Sequence, residues 1–398
     1  MISDQNNLLE NMPKESNAAS IERSPRPHVC HVVSGDCWAG AEVQVATLIR
    51  SLCRSEKLRV SVIILNEGRL AAELKRAGAR VLIIPESTVG FLSTLRTSIS
   101  FLRQETVTII HSHRYKENIL AHLIAFLSHI PIRVRTVHGL TESTGAWLGA
   151  RHLVLHLIDR VIGMIAGSVV VSVSAEMSPS LARQYGSHRV VTIPNGIDIQ
   201  SVDSILTKRQ AKLKIGCGTG PVVGYVGRIE AIKRLDLFLA SASELSKQLP
   251  TAQFIVAGDG RLLDSMMALS RRLQIDAQTH FLGHRDDIHD VIRALDVMVI
   301  CSDHEGMPMS VLEAMCLGTP IVGRAVGGVK LLLEDGKCGM CVHSDSPNEL
   351  AKACLRLIQL PHIAEQVSGS AKESIGRLYS AESNANKVLD LYWRLMKE

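Results

Sequence analysis

The stretch Cys301–Pro320, CSDHEGMPMSVLEAMCLGTP, predicts a loop that leads from a strand into a helix. It follows the apolar run Val297–Ile300, which is typical of a buried strand. Pro308 suits a first helical turn, because its missing N–H would have no partner there. Glu305 then falls in the loop and Glu313 inside the helix. Backbone N–H groups at a helix start can bind an anion, so the two acids are placed to hold hydroxyl groups around a phosphate. This pattern predicts a sugar-nucleotide site.

On both sides of this stretch, short apolar runs alternate with amphipathic segments from His28 onward. This alternation predicts an α/β fold with parallel sheets covered by helices on both faces. The turn residues Pro194-Asn195-Gly196 divide it into two doubly wound, Rossmann-like domains. We predict a polar tail at 1–27, domains at 28–195 and 196–378, and a final helix within 379–398. We also predict a long helix at Trp147–Ile165 and a charged, apolar-poor segment up to Gly220, and we assign no element between Ile358 and Ala381.

The composition excludes several classes of protein. The chain has 398 residues, of which 46% are apolar and 21% charged, as in globular proteins rather than disordered ones. Aromatic residues are 4%, too few for a surface that stacks single-stranded nucleic acid. The nine cysteines are scattered, which favours free thiols in a reducing compartment. Because the polar N-terminus lacks a signal-peptide pattern and the longest uncharged run is 15 residues, we expect a cytoplasmic protein, soluble or peripheral on the inner face of the membrane.

Positive charge is concentrated in the first half. Residues 1–195 contain 21 Lys and Arg against 15 Asp and Glu, whereas the remainder contains 23 against 24. Such an excess favours an anionic partner, such as a lipid headgroup or a phosphate, although an uneven solvated surface is the simpler explanation. Val89–Arg103 could form an amphipathic helix that lies on a membrane. The alternative is a helix packed on the sheet.

Four loops that follow strands are candidates for chemistry, since ligands of doubly wound sheets bind beyond the carboxyl ends of the strands. The first contains Gly40 at a helix start. In the second, Arg228 and Lys233 could neutralise a diphosphate, or could simply be surface charges. The third is Gly258-Asp-Gly260-Arg261, which could bind phosphate or ribose or only form a turn. The fourth is the opening stretch, continued by Gly327 and Gly328 before another helix.

The histidines and the paired cysteines are candidate metal ligands. His111 and His113 end a strand, but no further ligand is evident at compatible spacing, so we interpret His113 as structural. His138 precedes Gly139 at the end of another strand and is placed to reach the crevice. Cys338 and Cys341 have redox or half-zinc spacing but no second pair, which indicates packing. We therefore expect no metal.

These residues resemble a known family. Glu305 and Glu313, within EGMPMSVLEAM, are similar to the Glu-x7-Glu pair of the retaining glycosyltransferases of family 4, which have the GT-B fold. Arg228 and Lys233 resemble the diphosphate-binding pair of that family. Ile193–Asp198 is similar to its interdomain crossing, and Thr136-Val-His138-Gly to its active-site histidine segment. The chain departs from the family pattern at Ala39 in the first loop, at Arg324, and after Gly328, where it reads Val-Lys-Leu.

The resemblance implies a division of labour between the domains. The C-terminal domain would bind a nucleoside-diphosphate sugar, the N-terminal domain would bind the acceptor, and the final helix would return to the N-terminal domain. Glu313 would hold the ribose, Glu305 the donor sugar, and Gly283 would lie near the base. The implied catalytic residues are His138, Glu305, Arg228 and Lys233. The implied substrate-binding residues are Gly40, Gly227, Gly258, Gly283, Glu313, Gly306, Met307, Gly327 and Gly328.

The function predicted in this way is transfer of a sugar, with retention of anomeric configuration, from a UDP- or GDP-sugar to a hydroxyl acceptor. The acceptor would be lipid-linked or a glycan in surface-polysaccharide biosynthesis, with peripheral membrane contact through the N-terminal domain. Neither a metal cofactor nor a nucleic-acid partner is expected. Two alternatives stay open, namely a GT-B sugar-nucleotide epimerase and a sugar-nucleotide-binding protein without catalysis.

Overall fold

Two parallel sheets form the framework of the chain. The computed structural model describes residues 26–35, 38–113, 115–139, 161–163 and 167–398. Most of the predicted helix Trp147–Ile165 and most of the predicted tail therefore lie outside the described residues, although residues 161–163 are helical. The first sheet has the strand order β3-β2-β1-β4-β5-β6-β7, and the second has the order β10-β9-β8-β11-β12-β13. This arrangement confirms the predicted pair of doubly wound domains.

The first sheet is built from short apolar strands that are buried on both faces, as parallel strands usually are. One face packs against the helix Gly40–Arg54, and the other against Phe91–Leu102 and Tyr115–Leu127. The strands are β1 (His28–Val33), β2 (Arg59–Ile64), β3 (Arg80–Ile83), β4 (Ile109–Ser112), β5 (Ile132–Val137), β6 (Val169–Ser172) and β7 (Val190–Thr192). Further helices of this half are Arg69–Arg76 and Ser178–Tyr185.

The second sheet repeats this construction with six strands and with apolar clusters on both faces. The strands are β8 (Val222–Val226), β9 (Gln253–Ala257), β10 (Thr279–Gly283), β11 (Val297–Ile300), β12 (Ile321–Arg324) and β13 (Met340–Val342). The helices are Lys208–Lys214, Leu235–Gln248, Leu263–Arg272, Ile288–Ala294, Met309–Leu317, Gly327–Leu332, Pro347–Gln359, Pro361–Leu378 and Ala381–Leu395. Among the described residues, no helix is both long and apolar enough to cross a membrane.

The chain passes between the two domains twice, at neighbouring points. Ile197 pairs with Ser380 in an isolated parallel bridge, so the first crossing and the return lie side by side. The C-terminal helix, Ala381–Leu395, then packs its apolar face into the core of the first domain through Val388, Leu389 and Tyr392. This contact confirms that the final helix crosses back to the first domain.

Two helices were missed by the sequence prediction. Lys208–Lys214 lies in the segment expected to be irregular, and Pro361–Leu378 in the gap before the final helix. The first buries only Ala211 and Lys212, and ion pairs from Lys208 and Lys212 to Asp296 help to hold it in place. The second contains two glycines, and its narrow buried face combines Val367 and Ile375 with the small residues Ala371 and Ser374. Neither segment therefore shows the wide apolar stripe on which a periodicity argument depends.

Truncating Leu389 to alanine is expected to lower the free energy of unfolding by about 2–5 kcal/mol. Its side chain projects from the C-terminal helix and is buried in the core of the first domain. Urea denaturation followed by circular dichroism measures this loss. Leu213→Ala is the matched control, since Leu213 is 63% exposed, and it should change stability by less than about 0.5 kcal/mol. Equal effects of the two substitutions would contradict the packing described.

Candidate active site

Glu305 and Lys233 form the centre of the candidate site. Lys233 Nζ donates to both carboxylate oxygens of Glu305, at 2.7 and 2.8 Å. Ser302 Oγ donates to the same carboxylate at 2.6 Å, and the Glu305 side chain is buried. The two charged residues come from different strand-to-helix connections, after β8 and after β11. The carboxyl edge of the sheet thus brings together a cation and an acid that are 72 positions apart.

Two arginines hold the loop Cys301–Pro308, here called the Glu305 loop, in place through hydrogen bonds. Arg324 at the end of β12 donates to the carbonyls of Cys301 and Ser302, at 3.1 and 3.0 Å, and to Asp303 at 2.6 Å. Arg234 donates to the same Asp303 carboxylate at 3.0 Å. Arg324, one of the departures from the family pattern, therefore fixes the backbone that carries Glu305.

The Glu305 loop packs between the two domains with backbone against backbone. A Cβ atom at Gly306 would lie 2.2 Å from the carbonyl oxygen of His138, which belongs to the first domain. On the other side, a Cβ atom at Gly328 would lie 1.9 Å from the Gly306 carbonyl oxygen, and one at Gly327 would lie 2.0 Å from that of Glu305. The site requires glycine at all three positions, because any side chain would separate these segments.

The Gly328 N–H is already occupied, since it donates to the Glu305 carbonyl at 3.1 Å. Of the two predicted phosphate-side glycines, Gly328 thus serves first to hold the Glu305 loop. On the far side of that loop, Met307 is buried and its carbonyl accepts from the Asn195 side chain at 3.1 Å. The interdomain crossing therefore supports the loop directly.

The remaining glycines lie along the same edge of the second sheet, except for Gly40. Gly227 and Gly258 follow adjacent strands, and a Cβ atom at Gly258 would lie 1.9 Å from the Gly227 carbonyl oxygen. Gly283 ends β10 with a φ of +64°, and its carbonyl accepts from the Gly258 N–H at 2.8 Å. Gly40 opens a helix of the first domain and faces the Met309 side chain. Gly40 thus lies at the interface and does not contact Glu305.

Arg228 is exposed at the end of β8, and its carbonyl accepts from the Tyr225 hydroxyl at 2.7 Å. Burial raises the pKa of Tyr225 well above its ordinary value, the negative charge of Glu305 raises it further, and Arg228 opposes this shift. Both charged groups are therefore near the buried Tyr225 ring.

Glu313 lies in the helix Met309–Leu317, which begins directly after the Glu305 loop. No hydrogen bond found between described residues involves it. Its side chain keeps partial contact with solvent, but the surrounding protein desolvates the carboxyl group and raises its pKa to about 7. A carboxyl group that has lost hydration without gaining a protein partner is suited to accept hydrogen bonds from a ligand.

On the opposite wall, His138 borders a small cavity of the first domain. Ser34, Glu42, Glu117 and His113 line this cavity together with His138. Ser34 Oγ donates to the buried Glu117 carboxylate. The cavity thus presents carboxylate, hydroxyl and imidazole groups next to the point where Gly306 meets His138.

Comparisons with known proteins place the chain that carries this site in a family. The family described as Glycosyl transferases group 1 matches residues 220–360, and Glycosyltransferase Family 4 matches residues 38–201, so that together they cover well over half of the chain. The chain is a family 4, group 1 glycosyltransferase. It is 25% identical to the UDP-Gal:alpha-D-GlcNAc-diphosphoundecaprenol alpha-1,3-galactosyltransferase of Escherichia coli, over 86% of this chain and 90% of that relative.

A second relative of this glycosyltransferase is the putative glycosyltransferase EpsF of Bacillus subtilis, which is 24% identical over 93% of this chain and 97% of that relative. Among solved structures, Anabaena HepE in complex with UDP and glucose superposes with a TM-score of 0.80 at 17% identity. That match covers 92% of this chain and 100% of HepE. It confirms the GT-B fold of the glycosyltransferase.

Several residues of the glycosyltransferase that shape the site were missed in the sequence. The sequence marks Ser302 only as a loop residue and Asn195 only as a turn residue. In the structure, Ser302 donates to the Glu305 carboxylate and Asn195 to the Met307 carbonyl. His31 carries no motif in the sequence, yet it lies with His111 and His113 in a buried cluster. No sequence signal places His31 beside His111, because the register that makes them partners in adjacent strands is set by the tertiary structure.

Replacing Glu313 by glutamine is expected to stabilise the glycosyltransferase at pH 8 relative to wild type. The raised pKa means that the folded protein binds the proton more tightly than the unfolded chain does. That stability is complete below about pH 4.5 and is lost as the pH rises through about 7. The gain of the variant at pH 8 is at most about 3 kcal/mol, and at pH 5 it should be much smaller.

Thermal melting at pH 5 and pH 8 measures this difference. The matched control is Glu373→Gln, at an exposed position of the helix Pro361–Leu378, which should follow wild type at both values. If the melting temperature of Glu313→Gln changed between pH 5 and pH 8 by the same amount as that of wild type, the raised pKa of Glu313 would be refuted.

Proposed function

We propose that this glycosyltransferase moves a sugar from a UDP-sugar to a hydroxyl acceptor and retains the configuration at the anomeric carbon. The observation that carries the proposal is the ion pair between Lys233 and Glu305. Gly306, the residue after Glu305, packs against the His138 carbonyl of the facing domain. A cation and a carboxylate thereby lie beside the backbone contact with His138, where two doubly wound domains face each other. Such crevices are where ligands bind in this architecture.

The proposed chemistry follows from the charges that develop as the bond breaks. The sugar carbon becomes positive, whereas the leaving diphosphate becomes more negative. Lys233 and Arg228 would stabilise the diphosphate, and preorganised groups of this kind are often the largest catalytic contribution. Glu305 would orient the sugar, and Glu313 would accept hydrogen bonds from ribose hydroxyls. Since two cations supply the charge, we propose that turnover needs no divalent ion and persists in EDTA.

Support for the donor and the acceptor comes from the related proteins. HepE is described in complex with UDP and glucose, and the Escherichia coli relative carries both UDP-Gal and a diphosphoundecaprenol acceptor in its name. We propose a UDP-sugar donor and a lipid-linked acceptor for this chain on that basis. The cavity lined by Ser34, Glu42 and Glu117 offers groups that could bind acceptor hydroxyls.

A panel of UDP-, GDP- and ADP-sugars tests the proposal. We expect a thermal shift with a UDP-sugar and, with a short-chain polyprenyl-diphosphate sugar as acceptor, a new glycosidic bond of the donor's configuration by NMR. An epimerised or free sugar formed equally well without acceptor would favour an epimerase instead. Binding without any product would favour a non-catalytic sugar-nucleotide-binding protein, and the absence of both would remove the proposal.

The helix Phe91–Leu102 supports membrane contact near the acceptor side. Its inner face packs on the sheet through Leu95 and Leu102, whereas Phe91 and Leu92 are 53% and 67% exposed and Arg96 is exposed beside them. The helix begins after the carboxyl end of β3, which is the cleft side of the sheet. Packing on the sheet and contact with a membrane are therefore compatible for this helix.

We expect the protein to float with vesicles that contain anionic lipid, and the double substitution of Phe91 and Leu92 by serine to reduce the bound fraction severalfold. Ile205→Ser is the matched control, because Ile205 is 93% exposed but belongs to the other domain. If wild type binds neither anionic nor neutral vesicles in the flotation assay, this support for a lipid-linked acceptor is lost.

A further inference from the structure

Asp303 lies between the two chain segments that carry Lys233 and Glu305. It belongs to the Glu305 loop and comes two positions before Glu305. The Asp303 N–H donates to the carbonyl of Ile232, the residue before Lys233, at 2.9 Å. Arg234, the residue after Lys233, donates from Nη1 to Asp303 Oδ1 at 3.0 Å. Asp303 thus contacts both neighbours of Lys233 in the chain.

A second arginine donates to the same oxygen atom of Asp303. Arg324 Nη1, at the end of β12, lies 2.6 Å from Asp303 Oδ1. The same nitrogen donates to the carbonyls of Cys301 and Ser302, so Arg324 holds both the backbone and the side chain of the Glu305 loop. One oxygen atom therefore joins segments at the carboxyl ends of β8, β11 and β12.

Arg234 has an uncommon backbone conformation, with a φ of +51° and a ψ of +47°. This left-handed region is unfavourable for a residue with a side chain, and it persists where surrounding contacts enforce it. The Arg234 guanidinium supplies such contacts, because it donates to Asp236 at 3.1 Å and to Asp303 at 3.0 Å. Since Arg234 directly follows Lys233, these contacts help to fix the turn from which Lys233 reaches Glu305.

A carboxylate at this point can act through its charge or through the position of its oxygen. The charges of the two arginines remain balanced without Asp303, because Arg234 also pairs with Asp236 and Arg324 also pairs with Asp345. The Asp303 side chain is 46% exposed, and ion pairs at such positions contribute little to stability. The position of the shared acceptor atom is therefore the better explanation.

We infer that Asp303 is a positioning residue that sets the distance between Lys233 and Glu305. The backbone hydrogen bond to Ile232 alone would allow the Glu305 loop to pivot. The two hydrogen bonds at Oδ1 add further points of attachment and fix the orientation of the loop. The consequence for sugar transfer rests on the proposed function, whereas the geometry of the ion pair does not.

Three substitutions of Asp303 test the inference. Asparagine keeps an acceptor oxygen without the charge, alanine removes the acceptor, and glutamate keeps the charge but displaces the oxygen by one methylene group. In a crystal structure of Asp303→Ala, we expect Lys233 Nζ to lie more than about 3.5 Å from the Glu305 carboxylate, beyond hydrogen-bond distance. In Asp303→Asn the pair should remain as in wild type. An unchanged pair in Asp303→Ala would overturn the inference.

Initial rates of transfer provide a second readout. We expect Asp303→Ala and Asp303→Glu to lower kcat by roughly 10- to 100-fold, because a displacement of about 1 Å can have an effect of this size. Asp303→Asn should stay close to wild type. Melting temperatures should fall by less than about 4 °C, which excludes loss of the fold. A rate for Asp303→Asn as low as that for Asp303→Ala would show that charge matters, and would contradict the inference.

Asp345→Ala is the matched control, since Asp345 pairs with the same two arginines but lies outside the Glu305 loop. It should leave kcat unchanged, and a loss equal to that of Asp303→Ala would overturn the inference.

A double-mutant cycle shows whether Asp303 acts through the ion pair. Once Glu305→Gln has removed the pair, Asp303→Ala should lower the rate much less than it does in wild type. Equal factors in both backgrounds would contradict the inference. If wild type transfers no sugar, the proposed function fails, and the crystal structures of the variants still decide whether Asp303 positions the pair.

Discussion

Replacing Lys233 by methionine is expected to lower kcat/KM for sugar transfer by about 10²–10³-fold. Lys233 Nζ lies 2.7 and 2.8 Å from the two oxygens of Glu305, and it is the charged group that the structure places in contact with that acid. Loss of one preorganised group that stabilises developing charge typically raises the barrier by ~2.7–4 kcal/mol. Initial rates with the UDP-sugar identified by thermal shift measure the effect.

The same substitution leaves the buried Glu305 carboxylate without its cation, which itself destabilises a protein. The double variant Lys233→Met with Glu305→Gln separates the two effects, because no unpaired buried charge remains. We expect it to recover stability but not activity. Lys247→Met is the matched control, since Lys247 also pairs with a glutamate but is 65% exposed. Turnover by a folded Lys233→Met protein at the wild-type rate would rule out the proposed role.

Replacing Gly306 by alanine is expected to lower kcat by about 10²-fold. The added methyl group would lie 2.2 Å from the His138 carbonyl oxygen and 3.2 Å from a methyl group of Val173, both in the first domain. The domains must therefore separate or the Glu305 loop must shift, and a displacement of about 1 Å can reduce a rate by this amount. UDP affinity, measured by calorimetry, should change much less, because this contact lies between the domains.

The control for this substitution is Gly376→Ala in the helix Pro361–Leu378. Apart from the helix's own nearby backbone and the adjacent residues, no atom lies within 4 Å of the Cβ position there. Alanine should stabilise that helix by up to about 1 kcal/mol, because glycine is the poorer helix former, and activity should be unchanged. Normal catalysis by Gly306→Ala would show that the backbone contact between the domains is dispensable.

The sequence was sufficient for the alternation of strands and helices, and for the loops in which chemistry is concentrated. Lys233 and Glu305 were both identified as candidates, because each follows an apolar strand at a helix entrance. Two helices were missed where local signals are weak. Before Lys208–Lys214, the spacing of Thr207 and Gln210 is a capping-box pattern that the sequence does show. The charged residues of the helix obscured this signal.

The sequence alone determined which residues alternate toward the core and which follow the carboxyl ends of strands, since these properties repeat over a few residues. Only the tertiary structure decided that Gly306 touches the His138 carbonyl, that Arg324 holds the Glu305 loop, and that His31 reaches His138 through His113. These contacts join segments 23 to 168 residues apart, and they depend on strand order, on register and on how the two domains face each other. Hydrophobic patterning specifies the inward face of a strand but not its neighbour, so the strands that meet are selected when the whole core packs.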